Sequence, residues 1–259
     1  MADERLVEVR GHGRACVITL RREDKLNALS AALERELGDA LRSPEVTESA
    51  CVVVTGSGRA FSAGADVSEF RDLDPASVLR YYEEAGSLYE RLAGLPQPTI
   101  AAIHGYCLGG GFELALACDF RVAEESAAFG FPEVGLGILP SSGGTYRLVR
   151  LVGTARAKEL ILLRPRFGAA EARELGLVTE VVLDGKALER SLKLADWLAG
   201  LPPVAVRLVK RAVDLMPDAP RETGILIELL AYGMLAQTED AHEAAEAFVE
   251  KREPRFEGR

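Results

Sequence analysis

Two glutamates stand out in this sequence as residues that could carry out acid–base chemistry. Glu113 comes three residues after Gly110 at the start of an apolar helical stretch, so its carboxylate is expected on the same helix face as the Gly110 amide. Glu133 follows Pro132 in an aromatic segment, where desolvation would raise the pKa of a carboxyl group. Such carboxyl groups are suited to general acid–base catalysis. Taken singly, Glu113 is equally compatible with complementing the helix dipole, and an exposed loop position is the simpler interpretation of Glu133.

The glycine-rich segment 105–111 would expose backbone N–H groups at the start of the same helix. Its spacing matches neither the phosphate-binding G-x-x-x-x-G-K-[ST] nor the dinucleotide-binding G-x-G-x-x-G, which argues against ATP and NAD. First-turn amides and the helix dipole favour negative charge, so the segment predicts an anion or oxyanion site. A tight turn with close packing is the structural alternative, and it is favoured when this segment is considered alone.

A second segment of small residues, 56–66, directly follows a predicted strand. Ala63, Gly64 and Ala65 again leave the backbone accessible. Asp66 is expected to cap the turn that follows, and we favour this structural role over a chemical one. The serines of these loops do not stand in the G-x-S-x-G pattern of hydrolases, and the three histidines offer them no obvious partner.

The composition is that of an ordinary folded protein of 259 residues, 48% hydrophobic and 27% charged. Forty acidic against thirty-one basic side chains give a net charge of −9, which disfavours nucleic acid and anionic lipid as partners. The four cysteines are expected to be free buried thiols, and the histidines are too scattered to predict a metal site. Because no apolar run approaches the roughly 18 to 20 residues of a membrane span, we expect no membrane association and a cytoplasmic location.

The order of predicted elements is that of an α/β protein. Short β-type runs such as 15–20 and 99–103 alternate with helical stretches such as 75–92. The last part of the chain predicts helices interrupted by prolines. We therefore expect an α/β core over 1–200 and a helical C-terminal region over 201–259.

Taken together, these segments resemble the crotonase, or enoyl-CoA hydratase/isomerase, superfamily, and in particular its hydratases. The resemblance spans nearly the whole chain, from 25–29 to the tail 247–252. Three ordered motifs with matching spacing make a chance similarity improbable. These motifs are 61–66, 105–113 and 129–133.

The resemblance implies an α/β fold built as a spiral of ββα units, with a helical C-terminal region that drives trimerisation. A homotrimer, commonly doubled to a homohexamer, is therefore expected. The implied substrate is an acyl-CoA thioester whose carbonyl oxygen is held by the backbone amides of Ala65 and Gly110. Beside them, Ala63, Gly64 and Asp66 are expected to contribute to substrate binding. No cofactor is expected, because coenzyme A is part of the substrate.

In the hydratases that the chain resembles, two glutamates hold one water between them. The resemblance assigns Glu113 as the base that activates this water and Glu133 as the group that exchanges the α-proton. Phe131 and Tyr146 depart from the pattern, because glutamine is common at both positions. These two residues, expected at the substrate pocket, imply either a more apolar or aromatic acyl group or a different crotonase reaction.

The CoA phosphates must meet a local basic group, because a net charge of −9 provides no global attraction. The resemblance places Lys25 in an early loop near the nucleotide end of the ligand. Lys251 lies in the part of the C-terminal tail that corresponds to the family's tail. We expect it to reach the ligand of its own or a neighbouring subunit. On the sequence alone, each lysine is more simply a solvated surface charge.

The leading hypothesis is a hydratase that interconverts a trans-2-enoyl-CoA and water with a 3-hydroxyacyl-CoA. Double-bond isomerisation, in which one glutamate shuttles a proton and no water adds, is the first alternative. An acyl-CoA binding protein without turnover is disfavoured by the two carboxylates, and a peptidase of the related fold by the missing Ser/His pair. The acyl chain, the stereochemistry and the choice between trimer and hexamer stay open.

Overall fold

A six-stranded sheet forms the centre of the computed structural model, which describes residues 5–70, 77, 79, 88–163 and 166–259. Only the first pair of strands is antiparallel, and the other neighbours are parallel. In spatial order the strands are β1 (Val7–His12), β2 (Ala15–Leu20), β3 (Cys51–Gly56), β5 (Thr99–Ile103), β7 (Phe120–Glu124) and β10 (Glu180–Val182).

A second, four-stranded sheet consists of very short strands. They are β4 (Ala60–Ser62), β6 (Tyr106–Leu108), β8 (Ala128–Gly130) and β9 (Phe167–Gly168). Each of β4, β6 and β8 follows a strand of the large sheet after a short turn, so the chain alternates between the two sheets as it advances. The segment 105–111, expected to be a turn throughout, therefore contains a strand. Three residues are too few to show the alternation that identifies a strand in a sequence.

The helices lie between and after these strands. They are α1 (Ala31–Ala40), α2 (Pro44–Thr47), α3 (Gly110–Ala117), α4 (Gly144–Leu162), α5 (Ala169–Glu174), α6 (Ala187–Ala199), α7 (Pro203–Leu215), α8 (Arg221–Leu235) and α9 (Glu239–Glu250). Helix α4 bends at Gly153, whose φ of 75° is non-helical. The predicted helix 75–92 falls largely outside the described residues, although 88–93 are helical.

Strand β3 shows how the sheet is buried on both faces. Val52 and Val54 belong to the main core, which also contains Phe112 of α3. The alternate residues Cys51 and Val53 pack in a separate cluster with the apolar side of α6. Covering both faces explains why β3 is apolar without a polar alternation. Helix α6 therefore packs with the sheet, and the proposed division of the chain near residue 200 stays a prediction.

Candidate active site

Glu113 lies in the first turn of α3 and is almost fully buried, with 3% of its surface exposed. Every residue of this helix is buried, so packing carries the carboxylate into the interior with its apolar neighbours. Its Oε1 atom accepts hydrogen bonds from the backbone amides of Ser142 (2.7 Å) and Gly144 (2.8 Å). We call these two amides the amide clamp, because together they hold the carboxylate and stabilise its charge.

Glu133 begins the 3₁₀ helix Glu133–Leu136 and is 8% exposed. Its Oε2 atom is buried and has no hydrogen-bond partner within the residues that the structure describes. Burial, and to a smaller extent the nearby Glu113 carboxyl group, raises the pKa of Glu133 to about 7. A Cβ atom on Gly109 would lie 2.6 Å from Oε1 of Glu133, so the absence of a side chain there leaves room for the carboxyl group.

The surroundings of the two carboxyl groups differ in how far they stabilise the charged form. Burial also raises the pKa of Glu113, but the amide clamp and the Arg147 guanidinium stabilise its charged form and oppose the rise. For Glu133, its own backbone amide alone opposes the effect of burial. Glu113 is therefore the better stabilised carboxylate, and Glu133 is poised to hold a proton near neutral pH. Neighbouring carboxyl groups in such different surroundings can serve as base and acid.

The backbone amides of Ala65 and Gly110 belong to segments that lie close together, because a Cβ atom on Gly110 would be 3.4 Å from the Ala65 nitrogen. Hydrogen bonds from Leu29 N to Gly64 O (2.8 Å) and from Asp66 N to Leu29 O (2.9 Å) fix the residues on either side of Ala65. Across the described ranges, neither the Ala65 nor the Gly110 amide donates a hydrogen bond. Two free donors at the start of a helix are suited to a negatively charged oxygen.

Ala63 and Gly64 shape the segment that presents the Ala65 amide. The amide of Ala63 donates to the carbonyl oxygen of Leu26 at 2.9 Å. Gly64 has a φ of 98°, and a Cβ atom there would lie 2.8 Å from the Leu108 carbonyl oxygen. Glycine is therefore required at 64 for both its backbone conformation and the close approach of β6.

Asp66 serves a structural role in this conformation. Its carboxylate forms an ion pair with Arg22 at 2.7 Å, and its Oδ1 atom accepts from the amide of Ser68 at 3.1 Å. The hydrogen bond from the Ser68 side chain, followed by that from Arg22, lowers the pKa of Asp66. This is the turn-capping arrangement that the sequence favours, and a contact of Asp66 with substrate stays a prediction.

Phe131 and Tyr146 lie in very different surroundings. Phe131 is 1% exposed, and its ring centroid is 5.0 Å from that of Phe112 in the core. Tyr146 is exposed near the start of α4, where its hydroxyl group bonds Asp218 at 3.1 Å and its ring lies beneath Arg150. The burial of Phe131 indicates that it would affect an acyl group through packing. Direct contacts of either residue with substrate stay predictions.

Lys25 and Lys251 are both exposed. Lys25 ends the 3₁₀ helix Glu23–Lys25, and the residue after it, Leu26, has a left-handed φ of 51°. Lys251 caps the C-terminal end of α9, also in the left-handed conformation. Neither lysine forms an ion pair with another of the described residues. The structure therefore brings the glutamates and the two amides together, and it shows no contact of either lysine with that group.

Over the described ranges, no group of three or more His, Cys, Asp or Glu side chains is arranged to hold a metal ion. None of the helices in that same part of the chain has both the length and the apolar character for crossing a membrane. The cysteines are free and buried, as the sequence predicts.

The amide clamp and Arg147 were missed by reasoning from the sequence. The available signal was the Gly143–Gly144 pair, which ends a long glycine- and proline-containing loop. A loop of that length commonly has a function, but its sequence does not reveal which carboxylate its amides will meet.

The sequence matches the family profile for enoyl-CoA hydratase/isomerase over residues 11–259. It is 40% identical to the 2,3-dehydroadipyl-CoA hydratase of Escherichia coli over 247 residues, which cover 95% of this chain and 96% of the relative. It is 38% identical to the short-chain-enoyl-CoA hydratase of Clostridium acetobutylicum over 242 residues, 93% of each protein. A crystal structure of enoyl-CoA hydratase subunit I from Geobacillus kaustophilus matches with a TM-score of 0.93 and 41% identity over 100% of both chains.

The structural and sequence similarities agree over almost the entire chain. They confirm the predicted fold class, an α/β crotonase fold with a helical C-terminal region, while the role of that region in assembly stays a prediction. The chain belongs to the enoyl-CoA hydratase/isomerase family, whose members act on acyl-CoA thioesters.

Proposed function

We propose that this protein is an enoyl-CoA hydratase, which adds water across the 2,3 double bond of a trans-2-enoyl-CoA to give a 3-hydroxyacyl-CoA. The observation that carries this proposal is the unequal pair of buried carboxyl groups. Glu113 is held by the amide clamp, whereas Oε2 of Glu133 is buried without a partner among the described residues. Hydration needs a base for water and an acid for the α-carbon, and such a pair can supply both.

In the proposed mechanism, Glu113 takes a proton from water as the water oxygen bonds to the β-carbon. The electron pair of the double bond shifts toward the thioester, and negative charge develops on its oxygen. The amides of Ala65 and Gly110 would stabilise that charge, and one such donor contributes about 3 to 4 kcal/mol in well-studied enzymes. Glu133 then donates its proton to the α-carbon.

After one turnover Glu113 holds a proton and Glu133 has lost one. Release of one proton and uptake of another restore the starting state, so the net reaction consumes only the enoyl thioester and water. For this reason we propose no cofactor apart from the coenzyme A of the substrate.

The names of the relatives suggest which acyl groups to test first. The E. coli relative is named for 2,3-dehydroadipyl-CoA, and the C. acetobutylicum relative for short-chain enoyl-CoA. Because Phe131 and Tyr146 stand where glutamine is common in hydratases, aromatic enoyl-CoAs belong in the same panel.

The proposal is tested by incubating the purified protein with crotonyl-CoA and following the absorbance of the conjugated thioester. Hydration removes the conjugation, so the absorbance should fall, and ¹⁸O from labelled water should appear in the product. The same measurement is then made with the wider panel of enoyl-CoAs. Binding of these esters without any loss of absorbance would contradict the proposal and indicate a protein without turnover.

Isomerisation is the second candidate, because the matched family includes both activities. A single carboxyl group with a pKa near neutral, such as Glu133, could move a proton between the α- and γ-carbons. A 3-enoyl-CoA substrate separates the two reactions. An isomerase would increase the conjugated absorbance and incorporate no oxygen from water.

We also propose that Lys25 and Lys251 contact the phosphates of CoA. Both side chains are exposed, so they are accessible to a ligand. An acidic protein needs such local cations to hold an anionic ligand. We propose neither a nucleic acid nor a membrane as a partner.

We propose that the protein assembles as a homotrimer or homohexamer. The support for this is a set of large apolar side chains that are exposed on α7, α8 and α9. Clusters of this kind on a single chain commonly mark a protein–protein interface. The set comprises Val209, Val213, Ile225, Leu226, Leu229, Leu230, Tyr232, Met234, Phe248 and Val249.

A further inference from the structure

Arg147 lies in the first turn of α4, directly after the loop that supplies the amide clamp. Its side chain is only 13% exposed, which is unusual for a charged group of this length. The guanidinium forms an ion pair with Glu90 at 2.6 Å and donates to the carbonyl oxygen of Ser142 at 3.2 Å. One side chain therefore joins the helical residues 88–93 to residues 142–144, which we call the clamp loop.

Gly143 explains how the guanidinium comes so close to the loop. The φ of this glycine is 92°, a left-handed conformation that side chains rarely adopt. A Cβ atom at 143 would occupy the position of the Arg147 Nη1 atom. The guanidinium thus fills the space beside the clamp loop. Its hydrogen bond to the Ser142 carbonyl oxygen restricts movement of that loop.

The charged groups near Glu113 lie on separate elements of the fold. Arg147 faces it from α4 and favours its ionised form, and the negative charge of Glu113 in turn raises the pKa of Glu133 on the 3₁₀ helix. Glu90 lies on the other side of the guanidinium, and its own side chain is 70% exposed. Arg147 is therefore a positive group that favours the charge of Glu113, and Glu90 pairs with it from the exposed side.

We propose that Arg147 is a positioning residue for Glu113, which it serves by fixing the clamp loop and by placing a positive charge near the carboxylate. This inference rests on the proposed role of Glu113 as the base. Arg147 itself touches no reacting atom in this scheme. Its effect passes through the amides of Ser142 and Gly144 and through its charge.

Three variants separate the contributions of Arg147. Arg147→Gln removes the charge but retains a donor for the Ser142 carbonyl, whereas Arg147→Lys retains the charge and loses the forked geometry. Arg156→Gln is the matched control, because Arg156 lies further along α4, is exposed and pairs with Glu159 of the same helix. The turnover number, the Michaelis constant and the pH dependence of turnover are measured for each protein.

For Arg147→Gln we expect turnover to fall at least about tenfold with little change in the Michaelis constant. The acidic limb of the pH profile should move to higher pH, because loss of the nearby cation makes Glu113 easier to protonate. Arg147→Lys should restore the position of this limb, and Arg156→Gln should leave turnover and limb unchanged. Equal loss of turnover at every pH, with no movement of the limb, would overturn the inference in favour of a purely structural role.

A direct measurement keeps this test independent of turnover. Infrared spectra of glutamate-labelled Glu133→Gln protein, after subtraction of those of a Glu113→Gln/Glu133→Gln double variant, isolate the titration of Glu113, and adding Arg147→Gln should shift that titration upward. An unshifted titration would refute the inference even if the protein hydrates enoyl-CoA. A shifted titration in a protein that hydrates no enoyl-CoA would support the Arg147–Glu113 coupling and reject the proposed function.

Discussion

Gly144 and Glu113 lie so close together that a Cβ atom on Gly144 would be 2.6 Å from the carboxylate oxygen that the Gly144 amide binds. The hydrogen bond of 2.8 Å therefore requires that residue 144 has no side chain. The glycine that supplies a donor to the carboxylate also makes the space that the carboxylate occupies.

Gly144→Ala should displace Glu113 from the amide clamp and lower turnover by at least about a hundredfold, in the range seen when an acid–base group is lost. The fold should survive, because the group that must move is one side chain. Gly168→Ala is the control, since a Cβ atom there meets nothing within 4 Å. Similar turnover in the two variants would argue against the clamp.

Replacing either glutamate by glutamine should abolish most turnover while leaving the fold intact. Glu113→Gln and Glu133→Gln are each expected to reduce turnover at least about a hundredfold. Binding of a saturated acyl-CoA, measured by calorimetry, should be nearly unchanged because the thioester oxygen is held by backbone amides. Near-normal turnover in either variant on the true substrate would show that the reaction does not need two carboxyl groups.

Glu133 should make the folded protein less stable as the pH rises toward neutral. Burial raises its pKa from 4.5 to about 7, so the folded protein keeps a proton that the unfolded chain has already released. Between these two values the unfolded state binds fewer protons, and the free energy of unfolding therefore decreases as pH increases. The decrease should be complete once the pH exceeds the folded-state pKa.

This stability prediction is tested by thermal melting over a pH series that spans both values. Glu133→Gln should flatten the decline, whereas Glu125→Gln, which changes an exposed side chain, should leave it as in the parent protein. A decline that is equally steep without the Glu133 carboxyl group would assign the effect to other residues.

Lys25→Ala and Lys251→Ala should each raise the Michaelis constant for CoA esters several-fold with little effect on turnover number. Contacts with the phosphates bind the ground state and the transition state equally, so they change affinity and not the chemical step. A pantetheine thioester, which lacks the nucleotide, is the matched substrate and should be used equally well by variants and parent. Equal losses on both substrates would instead indicate a role in structure or assembly.

The exposed apolar residues of the C-terminal helices should be covered by other copies of the chain. Light scattering at micromolar concentration is expected to show a trimer or hexamer. The pair Leu229→Asp and Phe248→Asp should shift the mass toward the monomer, since both side chains are exposed in the single chain. A monomeric parent protein would show that these faces have another purpose.

The central elements could be predicted because their signals are local. Strand β5 is a continuous apolar run, and Glu113 follows Gly110 at a spacing that only a helix converts into proximity. Strands β4, β6 and β8 have three residues each, which is too short for a pattern.

The partners of Glu113 could not be predicted from the sequence for a different reason. The amides of Ser142 and Gly144 lie 29 and 31 residues further along the chain. No periodicity or motif specifies a meeting over that separation, and backbone donors have no side-chain signature. The burial of Phe131 was equally hidden, because an aromatic residue beside a candidate acid suits a pocket wall and a core alike.

Helix α3 carries both the Gly110 amide and Glu113, so the distance between the oxygen-binding donor and the base is set by about 1.5 Å of rise per residue. Ala65 and Glu133 lie on separate segments of the chain, so their distances from that helix are set by tertiary packing. The site thus combines one spacing that is fixed by helix geometry with two positions that depend on how other segments pack. Redesign of the reaction would best retain α3 unchanged and vary the segment around Glu133, where a new acid or a neutral side chain leaves the spacing of the other two groups untouched.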